Sequence, residues 1–311
     1  MYIRPIRIKL VIFILLAMSL PSTNAKDSDP RTSKVLAREA AAFAAVTDST
    51  PEKPTVPLSH EERNRKFKET WERTPSGGRG QLAIWRCQDI DSTLATFLAD
   101  KLVTEPSERD RSALAQVLAK CGPSEIAVKA LMKSSAFETS DSVRRLAALA
   151  LQIRREEKLA ASIYIDLMKR RYGKGFMHMG SEFHSFRTPE GIRFAAEELK
   201  KASQDATLSV DTRIPFILLA GYLDPVQFND ESVKFLTESI GMSERGDKDV
   251  EKALQTWSQD LVNMARRHSH SPDLIKRVRQ IAQRAAASSI PALAQEGHKS
   301  IQDLDKIENE K

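Results

Sequence analysis

The chain carries only two cysteines, so no disulfide-dense scaffold and no four-cysteine zinc site can be built from it. Gly (12) and Pro (14) are few for 311 residues and fall mostly between periodic segments, and aromatics make up only 6%. Strand-like alternation is missing over any useful length, which argues against a sheet. Apolar runs are short. The longest, Leu10 to Leu20, holds eleven residues with Ser19 its one weakly polar member, against the roughly 20 a membrane-spanning helix needs. No H-E-x-x-H, G-x-S-x-G, phosphate-cradling Gly loop or C-x-x-C pair occurs, so none of the motif-bearing enzyme classes is indicated. No cofactor is implied.

What is present favours helix: Ala, Leu, Glu, Lys, Arg and Gln dominate. Arg4, Arg7 and Lys9 precede the apolar run, Pro21 ends it, and Ala25 supplies a small residue for signal peptidase. Residues 1–25 therefore read as a signal peptide. An uncleaved anchor is the alternative; no cysteine lies near for the lipoprotein route. Export to a periplasmic or secreted location follows, with no transmembrane segment after processing. The signal takes three positive charges and no acidic residue with it, so the formal +6 falls to +3. That near balance, with charges interspersed, gives no reason to expect nucleic acid.

Residues 31–46 read as an Ala-rich helix, and 47–58 as a linker with three prolines. Residues 60–73 form a charged helix with Phe67 and Trp71 on one face. Residues 74–81 look like a flexible break, so the organisation expected is 1–25 signal, 26–80 N-terminal helices with linker, and 81–310 main helical domain. Beyond Gln81 the punctuation is regular. Asp91, Ser107, Pro123-Ser124 and Ser140-Asp141 open four helices ending near Val103, Cys121, Ser134 and Arg155. In the fourth, Val143, Leu146, Ala147, Ala150 and Leu151 make one apolar face. Thirty-three residues earlier, Ala113, Leu114, Val117 and Leu118 make the matching face, Leu98 maps to Leu131 and Ala95 to Val128. A fixed offset linking two helix pairs signals a stacked repeat.

The stretch Val143 to Leu151, VRRLAALAL after Asp141, resembles the second-helix signature of HEAT-type repeats, V-R-x-x-A-A-x-A-L. Arg111, Ala115 and Leu118 keep it in an earlier copy, with Asp110 in the Val position. Ile192 to Leu199 is a third copy, one residue short. The likeness covers roughly 90–200. It departs from the family in its spacing of 33 rather than about 40–47, and in Gln152 where a Gly commonly follows. A tetratricopeptide reading suits the spacing but lacks that family's Trp, Gly, Tyr and Pro positions. The resemblance implies an all-α fold: a right-handed α-α superhelix, a HEAT-like solenoid of antiparallel helix pairs. It also implies that Arg144 makes structural ion pairs between repeats, so a basic binding surface from Arg144-Arg145 and Arg154-Arg155 is the less favoured reading.

Cys87 lies just before the 91–103 helix and Cys121 at the end of the next, antiparallel one, ends that meet in a helical hairpin. An exported chain would oxidise them, closing a loop of about 35 residues worth roughly 3–4 kcal/mol; two reduced thiols are the alternative.

Helical periodicity stops after Arg171. Residues 172–188 concentrate Tyr172, Phe176, Met177, His178, Met179, Phe183, His184, Phe186 and Arg187, with three glycines. An exposed loop so rich in aromatics is costly without a partner surface. Its aromatics either tuck back onto the helices, or serve as anchors of a recognition loop. Met177, His178, Met179 and His184 would suit copper, but Met-His-Met alone does not assign a metal site. His268 and His270 read as a solvated helix end. The functional expectation is a binding protein, an adaptor or scaffold for a protein or cell-envelope partner. The alternative is an envelope hydrolase acting on glycan or peptide through two unidentified carboxylates about 5–9 Å apart.

Overall fold

The computed structural model describes residues 58–171, 180–255 and 257–310. The expected signal, the 31–46 helix and all but the last residue of the 47–58 linker lie outside the described residues. Among the described residues there are fifteen α-helices, two short 3-10 turns and no strand, as the composition demands. No helix among them is long and apolar enough to cross a membrane.

His60–Lys311 form one compact unit. Helix α1 (His60–Arg73) places Phe67 and Trp71 on its buried face. Both rings meet Phe97 of α3 (Ser92–Thr104) edge-on, with centroids 6.2 and 5.7 Å apart. Asn64 donates to Asp91 at 2.7 Å. The 74–81 stretch is likewise held, by a residue the sequence marked as a departure from the repeat. Asp110, in α4 (Glu108–Lys120), is buried, and its carboxylate accepts the Gly77 amide at 2.5 Å and the Gly80 amide at 2.8 Å. A Val there could accept nothing. With it, α2 (Arg79–Trp85) docks so closely that a Cβ on Gly80 would stand 2.5 Å from that of Ala113.

The expected helix starts are where the side chains can cap them. Asp91, Ser107 and Ser140 accept the amides of Leu94, Asp110 and Val143. They open α3, α4 and α6 (Asp141–Ile153), while α5 (Ser124–Phe137) starts at Pro123-Ser124. Helix α4 packs on α2 and α6, α3 packs on α5, and each pair is joined crosswise, α3 to α4 and α5 to α6. The pairs therefore lie side by side in chain order. Val143, Ala147, Ala150 and Leu151 are buried at this seam, as are Leu114, Val117 and Leu118 one pair earlier. The arginines of the repeat tie neighbours together: Arg111 to Glu138 at 2.6 Å, Arg144 to Asp166 at 2.6 Å.

Then come α7 (Glu157–Arg171), the single-turn α8 (Gly180–His184) and α9 (Pro189–Gln204). Helix α7 packs on α6 and α9. Next is α10 (Val210–Leu223), buried on nearly every side because it belongs to two core clusters at once. Around it fold α11 (Asp230–Glu244), α12 (Lys248–Gln255), α13 (Ser258–Arg267), α14 (Pro272–Ala286) and α15 (Pro291–Asn309).

Candidate functional site

The face of α6 that continues the α2–α4–α6 row meets residues 181–187. Gln152, where the resemblance expects Gly, is the reason. Its amide nitrogen donates to the Glu182 carbonyl at 3.0 Å and the Ser185 hydroxyl at 2.9 Å, while its oxygen accepts from the Tyr164 hydroxyl at 3.3 Å. Tyr164 is fully buried, and burial together with the charge of Glu182 pushes its pKa well above the ordinary phenol range, so it remains a donor. Glu182 is 7% exposed; it accepts from Arg145 Nε at 2.6 Å, from a second nitrogen of the same guanidinium, and from Ser181 at 2.8 Å. Phe183 and Phe186 sit beneath, with centroids 5.7 and 6.4 Å from Tyr164 and 5.5 Å from each other.

The far end of the segment is pinned by Glu157 at the start of α7. Its buried carboxylate takes the Arg187 and Thr188 amides at 2.8 and 2.9 Å and the Thr188 hydroxyl at 2.5 Å. His184 stacks on Tyr222 of α10 at 4.0 Å, and the Arg267 guanidinium lies 4.5 Å from the same ring. Partial desolvation of the ring where it stacks on Tyr222, together with Arg267, holds His184 below the ordinary imidazole pKa.

Between α6 and this segment runs a groove of two adjoining hollows. One, about 540 Å³, is lined by Ser142, Arg145, Leu146, Leu149 and the residues 181, 182 and 185. The other, about 370 Å³, is lined by Leu149, Gln152, Ile153, Arg155, Glu157, Ser185 and Arg187. They share Leu149 and Ser185. Leu149 and Ile153 stand 38% and 47% exposed on its floor. Volumes of this size suit a few side chains of a partner.

Of the residues expected in a binding loop, Phe183 and Phe186 are core residues, not exposed anchors: they pack against Tyr164 of α7. His184 and Arg187 are exposed. Tyr172, Phe176, Met177, His178 and Met179 lie outside the described residues. Among the described residues no cluster of three His, Cys, Asp or Glu could hold a metal. The expected solvated end at 268–270 is corrected for His268. That ring is only 9% exposed and donates from Nε2 to the Tyr222 carbonyl at 2.8 Å. The α13 stripe runs onto the α10 interface, and burial lowers the imidazole pKa. Cys87 and Cys121 come to disulfide distance, Cα to Cα 5.4 Å. The two carboxylates lining the groove, Glu157 and Glu182, are both committed as acceptors within the fold, an arrangement that suits anchoring rather than acid–base work.

Leu149 and Ile153 were not singled out from sequence, and Arg155 entered only as part of the less favoured basic surface, yet a signal was there. At the 33-residue offset they replace Gln116, Lys120 and Gly122, and the first two of those are exposed polar residues. An apolar pair appearing where the previous repeat is polar marks a face with a different task. No family model, no curated protein and no solved structure matches the chain.

Proposed function

We propose that this chain is an exported, HEAT-like helical-repeat protein that binds a protein partner of the cell envelope, as adaptor or scaffold, through the groove between α6 and residues 181–187. The observation that carries this reading is the exposed pair Leu149 and Ile153 flanking a hollow, at positions where the preceding repeat carries Gln116 and Lys120. Exposed aliphatic side chains in a concave, partly polar setting are what a partner's apolar side chains bury against. The groove walls are pre-organised: Gln152, Glu182 and Glu157 fix the 181–187 segment to α6 and α7 by hydrogen bonds, so little ordering entropy opposes binding. The cysteine pair at disulfide distance supports an oxidising compartment.

A photo-crosslinking residue placed at position 149, with the same residue at 116 as control, tests the assignment in cells. Adducts to one defined partner from 149 and none from 116 are expected. Equal adducts from both positions, or none from 149, would overturn it.

A further inference from the structure

The groove has a charged end, and the charges there are not used by the fold. The sequence offers two arginine pairs on α6, Arg144-Arg145 and Arg154-Arg155. Three of the four are consumed internally. Arg144 pairs with Asp166 and donates to the Ser135 carbonyl at 3.1 Å. Arg145 pairs with Glu182. Arg154 donates to the carbonyls of Leu118 at 3.0 Å and Cys121 at 2.6 Å, closing the C-terminal end of α4. Arg155 alone is left, exposed, lining the smaller hollow together with exposed Arg187. No carboxylate among the described residues pairs with either of them.

Arg155 is also held in a backbone conformation that an arginine does not choose. Its φ is +67°, and it is the one non-glycine with positive φ among the described residues. The position 33 residues earlier is Gly122, at φ +74°. The two helices end in the same left-handed turn: in the first copy glycine occupies it, as the steric rule expects, and in the second an arginine occupies it at a cost in stability. A strained residue kept where the neighbouring repeat shows the relaxed solution points to a role for its side chain.

Resting on the groove reading above, we propose that Arg155 and Arg187 form a carboxylate subsite. It holds an Asp or Glu side chain of an extended partner segment whose apolar side chains lie on Leu149 and Ile153. Charge complementarity argues for an acidic ligand, since two unpaired guanidiniums lining one hollow attract a carboxylate and can bond it at two oxygens. The acid is a side chain, not a chain terminus. A terminal carboxylate is captured by free backbone amides, and the amides available here, those of Arg187 and Thr188, are already taken by Glu157.

The test uses the whole mature chain to select binders from a displayed library of random dodecapeptides. The most enriched sequence is then synthesised with a fluorescein label and followed by anisotropy. An apolar pair with a nearby Asp or Glu is expected in the selected sequences. Replacing that acid by its amide should weaken binding about tenfold or more, the scale of a lost charge-assisted pair, whereas amidating the peptide's C-terminus should leave it unchanged. Arg155→Gly should raise the midpoint of thermal unfolding and weaken the peptide by a similar factor, and Arg187→Gln should weaken it with stability kept. A residue that served only the fold would lose stability instead. If Leu149→Gln with Ile153→Lys abolishes binding while Arg155→Gly does not, the groove stands and the carboxylate subsite falls. If C-terminal amidation abolishes binding, the side-chain assignment falls. Peptides that bind every variant equally, or a selection that enriches nothing, sink the subsite and the groove together.

Discussion

Asp110 shows how one side chain decides whether a segment is a linker or part of a core. Read in the repeat register it stands where Val143 stands a repeat later, and a carboxylate at a seam position looks like an error. Its two hydrogen bonds to the Gly77 and Gly80 amides convert it into the clamp for α2. Asp110→Val restores the repeat's residue type but leaves two amides without acceptors, each costing about 1–3 kcal/mol where buried. The variant should lose about 2–3 kcal/mol, read as a drop in the urea midpoint, and α2 should lose amide protection first. A variant as stable as the parent would show that the clamp contributes nothing. Glu244 offers a charge test at the same scale. Arg284 holds its carboxyl at about 2, against 4.5 for a free Glu, through hydrogen bonds of 2.5 and 3.0 Å, helped by Ser288 and the Ser289 amide. The folded value lies below the unfolded one. The pair's contribution is therefore complete above pH 4.5 and is lost as pH falls from there towards about 2. Both side chains are partly exposed, so solvent screening limits the contribution to about 1 kcal/mol. In Arg284→Gln, a carbon-detected NMR titration should find the Glu244 pKa raised, short of the free value because Ser288 and the Ser289 amide remain, and the acid limb of the stability curve flatter.

Helices with a clean apolar stripe and a capping side chain were legible before any coordinates. Asp91, Ser107 and Ser140 cap where the spacing put them, and the stripe from Val143 to Leu151 is the buried seam. What stayed hidden depends on partners remote in sequence. The run Gly77-Gly78-Arg79-Gly80 has loop composition, and the carboxylates that hold it, Asp110 and Glu105, lie 26–33 residues further along the chain. Across residues 248–267, Val250, Ala253, Leu254, Trp257, Leu261, Met264 and Ala265 keep one helical period throughout. The structure divides them into α12 and α13 with the buried Trp257 at the corner. At the candidate site, the interruption after Arg171 was visible as a loss of period, but which of its aromatics face inward was not, since Phe183 and Phe186 are buried with Tyr164, a partner remote in sequence. The two cysteines belong to this scale too, standing at disulfide distance between the entry of α3 and the exit of α4. Their Cα atoms, 5.4 Å apart and 34 residues apart in sequence, allow a bond worth roughly 3–4 kcal/mol on the chain-entropy estimate. Native protein should gain two hydrogens on reduction, read by intact mass, and its unfolding midpoint should fall. Two thiols alkylatable before reduction would refute the bond.

At the scale of the whole helical unit the question is whether the stacked pairs and the C-terminal helices unfold together. The two core clusters run from Phe67 to Leu223 and from Ile214 to Ile307, and α10 is the element they have in common. Phe216, Leu219, Ala220 and Leu223 face the first, and Ile214, Ile217 and Leu218 face the second. A helix apolar all round, with Pro215 removing one of its own backbone bonds, has little reason to be stable except through both neighbours. The His184–Tyr222–Arg267 stack adds a polar tie across the same junction. Truncating Ile217 to Ala should therefore cost about 2–5 kcal/mol, as for a buried aliphatic whose cavity cannot collapse. Hydrogen exchange should report the loss on both sides of α10, in α9 as well as in α13. Leu304→Ala, remote from the junction in the second cluster, should lower protection in α13 to α15 and leave α4 and α6 unchanged if the clusters open separately, or lower all of them equally if α10 couples them into one cooperative unit. The shared helix predicts the coupled outcome, and protection lost only beyond α10 would contradict it.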